Sequence, residues 1–220
     1  MENKIEAVIF DLGNVLISFD HTIAARRISG FTDKTEQEIF GLFFDSGITG
    51  LFEEGKISSQ DFFSRVREML NLKLDYKDFL PIWNEIFFLT RENSGVYKLA
   101  KTLKGRYKTA LLSNINVLHF NYLKQIFPLF DAFDCVLTSF ELGMRKPHPL
   151  IYSRALEALG VEAPEKVFYT DDRPELVEIA AGLGIKGAVF TGIEQLKKDL
   201  VDAGIDIEIL NSKSEILNKS

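Results

Sequence analysis

Three carboxylates, a hydroxyl and an ammonium stand at one kind of place in this 220-residue chain, just after a short apolar run. Ala7 to Phe10 is followed by Asp11-Leu-Gly-Asn-Val15, Thr109 to Leu112 by Ser113-Asn114, and Val167 to Thr170 by Asp171-Asp172. Lys146, in Arg145-Lys-Pro147, follows a further run, Cys135 to Thr138. Asp11, Asp171 and Asp172 cannot all ionise at close quarters without a counter-charge, because like charges in a half-buried cleft raise one another's pKa. Oxygen donors without histidine or thiolate select Mg²⁺, which takes one or two carboxylates, several waters and a substrate phosphate. With Mg²⁺ and Lys146 added, the negative charge of the three aspartates is balanced, and the site can accept a dianion.

Such a site needs elements that bring the ends of several runs together. The runs are continuously apolar, with a fifth at Gly187 to Phe190, which predicts buried strands in parallel pairing. Stretches such as Val96-Leu99-Ala100-Leu103, Ile151-Ala155-Leu156-Leu159 and Leu176-Ile179-Ala180-Leu183 carry helical spacing between them. Strand alternating with helix gives an α/β doubly wound parallel sheet, whose carboxyl strand ends converge on one crevice. From about Ile17 to Asn93 the alternation stops, no convincing strand occurs, and the pattern is helical. Eleven of the chain's 19 phenylalanines fall in this segment, so it is expected to be a small helical domain with its own core. The expected organisation is therefore a core of 1–16 and 94–205, a helical insertion of 17–93, and a polar tail of 206–220. Ser58-Ser-Gln-Asp61 has the form of a helix cap and predicts a helix from about Ser59 to Leu70.

Composition narrows the functions. Lys and Arg number 26 against 32 Asp and Glu, a net charge of −6, and there is no basic run to neutralise a nucleic-acid backbone. A single cysteine, Cys135, excludes an internal disulfide and a thiolate zinc cage, which favours a cytoplasmic protein. No apolar stretch is long enough for a membrane span or a signal core, so no membrane partner is expected and the mature chain is expected to begin at Met1. A monomer and a homodimer both remain open. Gly182-Leu-Gly-Ile-Lys-Gly187 precedes a strand instead of following one, and is expected to be a helix-ending turn, not a dinucleotide site. His21, His119 and His148 are scattered without the spacing of a zinc helix; His148 is expected to be a turn residue at a helix start.

Asp-Leu-Gly-Asn-Val, Leu-Leu-Ser-Asn, Arg-Lys-Pro-His-Pro-Leu-Ile-Tyr and Phe-Tyr-Thr-Asp-Asp-Arg-Pro, in that order, resemble the four motifs of the haloacid dehalogenase superfamily. The resemblance spans about Glu6 to Gly192, and the helical insertion is similar to the cap that many members carry there. It implies a Rossmann-like core and a phosphatase acting on a small phosphorylated metabolite, with a sugar phosphate favoured. By the same resemblance Asp11 is the nucleophile that becomes an aspartyl-phosphate, and Ser113, Asn114 and Lys146 hold phosphate oxygens. Asp11, the main-chain carbonyl of Gly13, Asp171 and Asp172 hold Mg²⁺, and Lys146 also neutralises the reacting groups. Gly13 departs from the pattern, since most phosphatases of the superfamily carry there a second Asp that protonates the leaving oxygen. Such an acid contributes a factor of about 10² to 10⁴. Its loss predicts slow turnover of alkyl phosphates unless another group donates, and Asp20 and His21 are the nearest candidates in sequence. Two other readings of the scaffold are a non-catalytic binding or regulatory protein and a metal-independent dehalogenase.

Overall fold

A computed structural model of the chain describes residues 4–45 and 47–207, with only the main chain described for 42–45. In order along the chain lie β1 (Ala7–Phe10), β2 (Ser18–Phe19), α1 (His21–Ser29), α2 (Glu36–Asp45), α3 (Ile48–Glu53), α4 (Ser59–Met69), α5 (Tyr76–Asn84) and β3 (Phe87–Phe88). They are followed by α6 (Arg91–Leu103), β4 (Lys108–Ser113), α7 (Val117–Ile126), β5 (Cys135–Thr138), α8 (Ser139–Leu142) and α9 (Pro149–Leu159). The chain then forms β6 (Val167–Asp171), α10 (Pro174–Gly182), β7 (Lys186–Val189) and α11 (Ile193–Asp202).

Five strands form one parallel sheet in the order β5-β4-β1-β6-β7. Both faces of the inner strands β1, β4 and β6 are covered, so these are buried at successive residues instead of alternating, whereas the edge strand β7 is partly exposed. In β1, Val8 and Phe10 pack with α6, α7 and α11 on one face, through residues such as Leu99, Leu123 and Leu196. Ala7 and Ile9 pack on the other with α9 and α10, through Ile151, Ala155 and Leu176. The order of the strands has a functional consequence. After β1 the chain winds outward through β4 and β5, then returns to the other side of β1 for β6, so β1 lies at the reversal where a crevice opens.

The insertion has a core of its own. Phe52 stacks on Phe62 at 4.3 Å between ring centres, and Phe79 stacks on Trp83 at 5.8 Å. Ile39, Val66, Leu70 and Leu74 close round them. Burial of these large rings supplies the apolar area that a five-helix unit of this size requires. The side chains of Phe43 and Phe44, and the expected tail beyond Ile207, lie outside the described residues. Ser58 caps α4 as the sequence predicts, its hydroxyl accepting from the Asp61 N–H at 3.1 Å.

One expectation fails. The 17–93 segment does contain strand: β2 and β3 pair antiparallel, with Ser18 opposite Phe88 and Phe19 opposite Phe87. Two residues per strand are too few to show a period of two, so no strand pattern marks them. This ribbon ties together the points where the chain leaves and re-enters the core, and it fixes the ring of Phe19 beside the end of β1.

Candidate active site

Register sets the site. The pairing of Phe10 with Leu111 on one side and Thr170 on the other brings the ends of β1, β4 and β6 level. Asp11 is the first residue past β1, held there by its N–H, which donates to the Thr170 carbonyl at 2.9 Å. Asp171 closes β6 and Ser113 closes β4, and both are buried. The loop after β1 turns back tightly through Asn14 at φ 55°, a left-handed conformation that asparagine tolerates better than most residues. That turn aims the Asn14 amide at Asp172, to which its Nδ2 donates at 2.9 Å.

Lys146 enters from the loop between α8 and α9 and lies among the carboxylates, only 4% exposed. Its Nζ donates to Asp11 Oδ1 and to Asp171 Oδ2, each at 2.6 Å. Asn114 holds that loop in place: its Oδ1 accepts from the Lys146 N–H at 2.8 Å and its Nδ2 donates to the Lys146 carbonyl at 2.9 Å. The Asn114 amide therefore positions the lysine through its main chain, a link that the sequence does not reveal. Tyr169, one turn of the pleat back on β6, donates its hydroxyl to Asp171 Oδ2 as well.

The electrostatics follow from burial. Loss of solvent pushes the Asp11 carboxyl up to about 7 against the pull of Lys146, and the charge of Asp171 adds to the rise. Burial also raises Asp172, with the Asn14 hydrogen bond working against it. At Asp171 burial is outweighed by the Lys146 ammonium and the hydrogen bonds from Lys146, Tyr169 and the Arg173 N–H, which hold it below the ordinary carboxylate range. Lys146 itself is raised, because its two carboxylates overcome the burial that disfavours its charge. Three carboxylates facing one ammonium leave an excess of negative charge, and in a buried place such an excess calls for a cation. Asp11, Asp171 and Asp172 each offer an oxygen within 4.8 Å of the others. All-oxygen donors at that spacing fit a hard divalent ion.

All seven residues singled out in the sequence, Asp11, Gly13, Ser113, Asn114, Lys146, Asp171 and Asp172, line a single cleft of about 330 Å³. The structure adds further lining residues, to most of which the sequence assigned no role. Phe19, His21, Thr49, Glu53 and Trp83 come to the cleft from the insertion, and Arg145 comes from beside Lys146. Of the two groups nearest in sequence to the missing acid, Asp20 is used as the cap of α1, accepting from the Thr22 N–H at 2.8 Å. His21 does reach the cleft, where burial lowers its pKa to about 4, so its imidazole is neutral at pH 7. The outlying motifs take structural places. His148 caps α9, and Gly184 turns the chain at φ 89° between α10 and β7.

The chain matches known proteins over most of its length. Residues 5–184 match the family of haloacid dehalogenase-like hydrolases. Phosphatase MT3486 of Mycobacterium tuberculosis is 32% identical over 203 residues, covering 90% of this chain and 93% of that protein. D-ribitol-5-phosphate phosphatase of Bacteroides thetaiotaomicron is 24% identical over 188 residues, 83% of this chain and 90% of that one. A crystal structure of a HAD family enzyme of Bacteroides thetaiotaomicron, in complex with magnesium and inorganic phosphate, superposes with a TM-score of 0.75 at 28% identity. It covers 86% of this chain and 95% of its own.

Proposed function

This chain belongs to the haloacid dehalogenase-like hydrolases, and on that premise we propose that it is a Mg²⁺-dependent phosphomonoester hydrolase acting on a small phosphorylated metabolite in the cytoplasm. The observation that carries the proposal is the double contact of Lys146 with Asp11 and Asp171, at 2.6 Å each, inside a cluster of three carboxylates. A nucleophilic carboxylate must approach a phosphoryl dianion, and the repulsion between them is the largest obstacle. Lys146 lies where it can offset charge on both partners. Asp11, Asp171, Asp172 and the main-chain carbonyl of Gly13 would hold Mg²⁺, which when bound supplies positive charge to the phosphate oxygens.

In this reading an oxygen of Asp11 attacks phosphorus in line, giving an aspartyl-phosphate that water then hydrolyses. Ser113 and Asn114 border the phosphate position, and the Asn114 contact with the Lys146 loop keeps the ammonium in register. Segment 17–93 acts as a cap whose cleft-lining residues choose the leaving group. A sugar phosphate is the favoured class: Thr49 and Arg145 line the cleft and can hydrogen-bond hydroxyls beside the site. One relative, by its name a phosphatase of D-ribitol 5-phosphate, supports the same class.

The test is a screen of phosphorylated metabolites with and without Mg²⁺. Release of phosphate that is lost on chelation and restored by Mg²⁺ is expected. No release from any member of the panel would favour a non-catalytic scaffold, and metal-independent halide release from a 2-haloacid would favour a dehalogenase.

A further inference from the structure

Position 13 lacks the acid of the family pattern, and the ring of Phe19 crowds that position. A Cβ built on Gly13 would lie 2.8 Å from Phe19 Cε1, well inside contact distance. The Phe19 ring has little room to yield. It meets His21 edge-on at 4.9 Å and Phe87 at 6.2 Å, and its main chain is paired in the β2–β3 ribbon. A leaving alkoxide must nevertheless receive a proton, since an unprotonated alkoxide is a poor leaving group.

Among the described residues, four carboxyl groups line the cleft: Asp11, Asp171, Asp172 and Glu53. The first three surround Lys146 and are committed to nucleophile and cation. Glu53 differs in origin, coming from the end of α3 in the insertion and not from the sheet edge. It is held by both ends. Its carbonyl accepts from Ser139 Oγ at 2.6 Å, and its Oε2 accepts from Arg145 Nη1 at 2.9 Å. Arg145 is itself seated against α3, for a Cβ at Gly50 would lie 2.9 Å from its Nη2.

We propose that Glu53 is the proton donor to the leaving oxygen, in place of the carboxyl that Gly13 lacks. The inference rests on the phosphatase reading above. As the Asp11 oxygen bonds to phosphorus and the ester P–O bond breaks, the departing oxygen takes the Glu53 proton and leaves as an alcohol. The new Glu53 carboxylate is stabilised by Arg145. In the second half it takes a proton from the attacking water, the hydroxide oxygen bonds to phosphorus, and the P–O bond to Asp11 breaks. Phosphate is released with Asp11 and Glu53 restored. Burial raises the Glu53 carboxyl despite its arginine, which suits a group that must carry a proton. His21, which the insertion also brings there, is a neutral imidazole at pH 7 and a far weaker acid.

The experiment compares kcat/KM with Mg²⁺ on p-nitrophenyl phosphate and on propyl phosphate, for the wild type, Glu53→Gln and Glu53→Asp. Glu53→Gln is expected to lose about 10² to 10⁴-fold on propyl phosphate but less than about tenfold on p-nitrophenyl phosphate, whose leaving group needs little protonation. Glu53→Asp should recover part of the alkyl activity. Equal losses on both esters would make Glu53 a structural residue and overturn the proposal, as would no loss on either. Should Glu53→Gln fail to fold, the wild type decides: a series of phosphate esters should show a shallow dependence of rate on leaving-group pKa, and a steep one overturns the donor. A wild type inactive on every ester would overturn the phosphatase reading, and the proposal with it.

Discussion

The two walls of the cleft are made in opposite ways. The sheet wall is charged, buried and assembled from residues as much as 161 positions apart, yet its geometry is fixed by parallel register at the ends of β1, β4 and β6. The wall contributed by the insertion is aromatic, with Phe19 and Trp83, His21 kept neutral by burial and, among the described residues, one carboxyl, Glu53. On the sheet side, three carboxylates gather round one ammonium, and buried ions cost several kcal/mol each unless well paired. On the insertion side, packing dominates and polar groups are few. The contrast suggests that the chemistry is lodged in the core, and that the insertion decides what is brought to it and how the departing group leaves.

Separating the walls by mutation should give different signatures. The largest effect is expected from Asp11→Asn. If the sheet wall is a reaction site, turnover falls by roughly four orders of magnitude or more, as for removal of a sole nucleophile. Stability at pH 7 should hold, since Lys146 keeps its bond to Asp171 and a buried carboxylate is removed. A thermal melt beside a phosphate-release assay checks both halves, and residual activity within tenfold of wild type would remove Asp11 from the mechanism.

Trp83→Ala should invert that signature. The ring is 1% exposed, is packed on Phe62 and Phe79, and stacks on His119 of α7 at 4.8 Å. Its truncation is expected to cost about 3–5 kcal/mol. Activity in the fraction that stays folded should fall mainly through KM, because a cleft wall is lost while the strand ends are not. An unchanged urea midpoint would contradict the view that packing dominates this wall.

The smallest effect concerns pH. His119 accepts from Asn116 Nδ2 at its Nδ1 and donates from Nε2 to the Trp83 carbonyl, so both ring nitrogens fit the neutral form. Burial lowers its pKa to about 3, with the nearby His21 adding to the shift. In the unfolded chain it protonates near the ordinary value of about 6.5, so its contribution is complete above that pH and is lost progressively as pH falls toward the folded value. The expected slope is up to about 1.4 kcal/mol per pH unit between pH 6.5 and 4. Urea denaturation over that range should be flatter for His119→Gln than for wild type, and identical slopes would show that this histidine does not anchor the insertion to the core through a neutral ring.

Much of the molecule was legible before any coordinates. Continuous apolar runs predicted the five strands of the sheet, most plainly β1, β4 and β6, because a strand buried on both faces has no polar alternation to hide it. The residues closing those runs predicted the charged wall, since strand ends in a doubly wound sheet must converge. Thus Asp11, Ser113, Asp171 and Asp172 could be assigned to one crevice without knowledge of a single distance. The insertion was legible only in outline. Its phenylalanines announced a separate core, but not which rings would face the cleft, because an amphipathic pattern says that a face is buried and not against what.

What the sequence by itself determined is the set of groups available and the sheet edge on which they gather, for those follow from local pattern and strand register. Only the tertiary structure decided that Phe19 fills the space beside Gly13, that Asn114 grips the Lys146 loop, and that Glu53 and Arg145 pair beside the site. Each of these is a contact between segments whose separation carries no periodic signal. They arise because the two-residue ribbon and the end of α3 orient the insertion over the strand ends, and that orientation is a property of the packed whole.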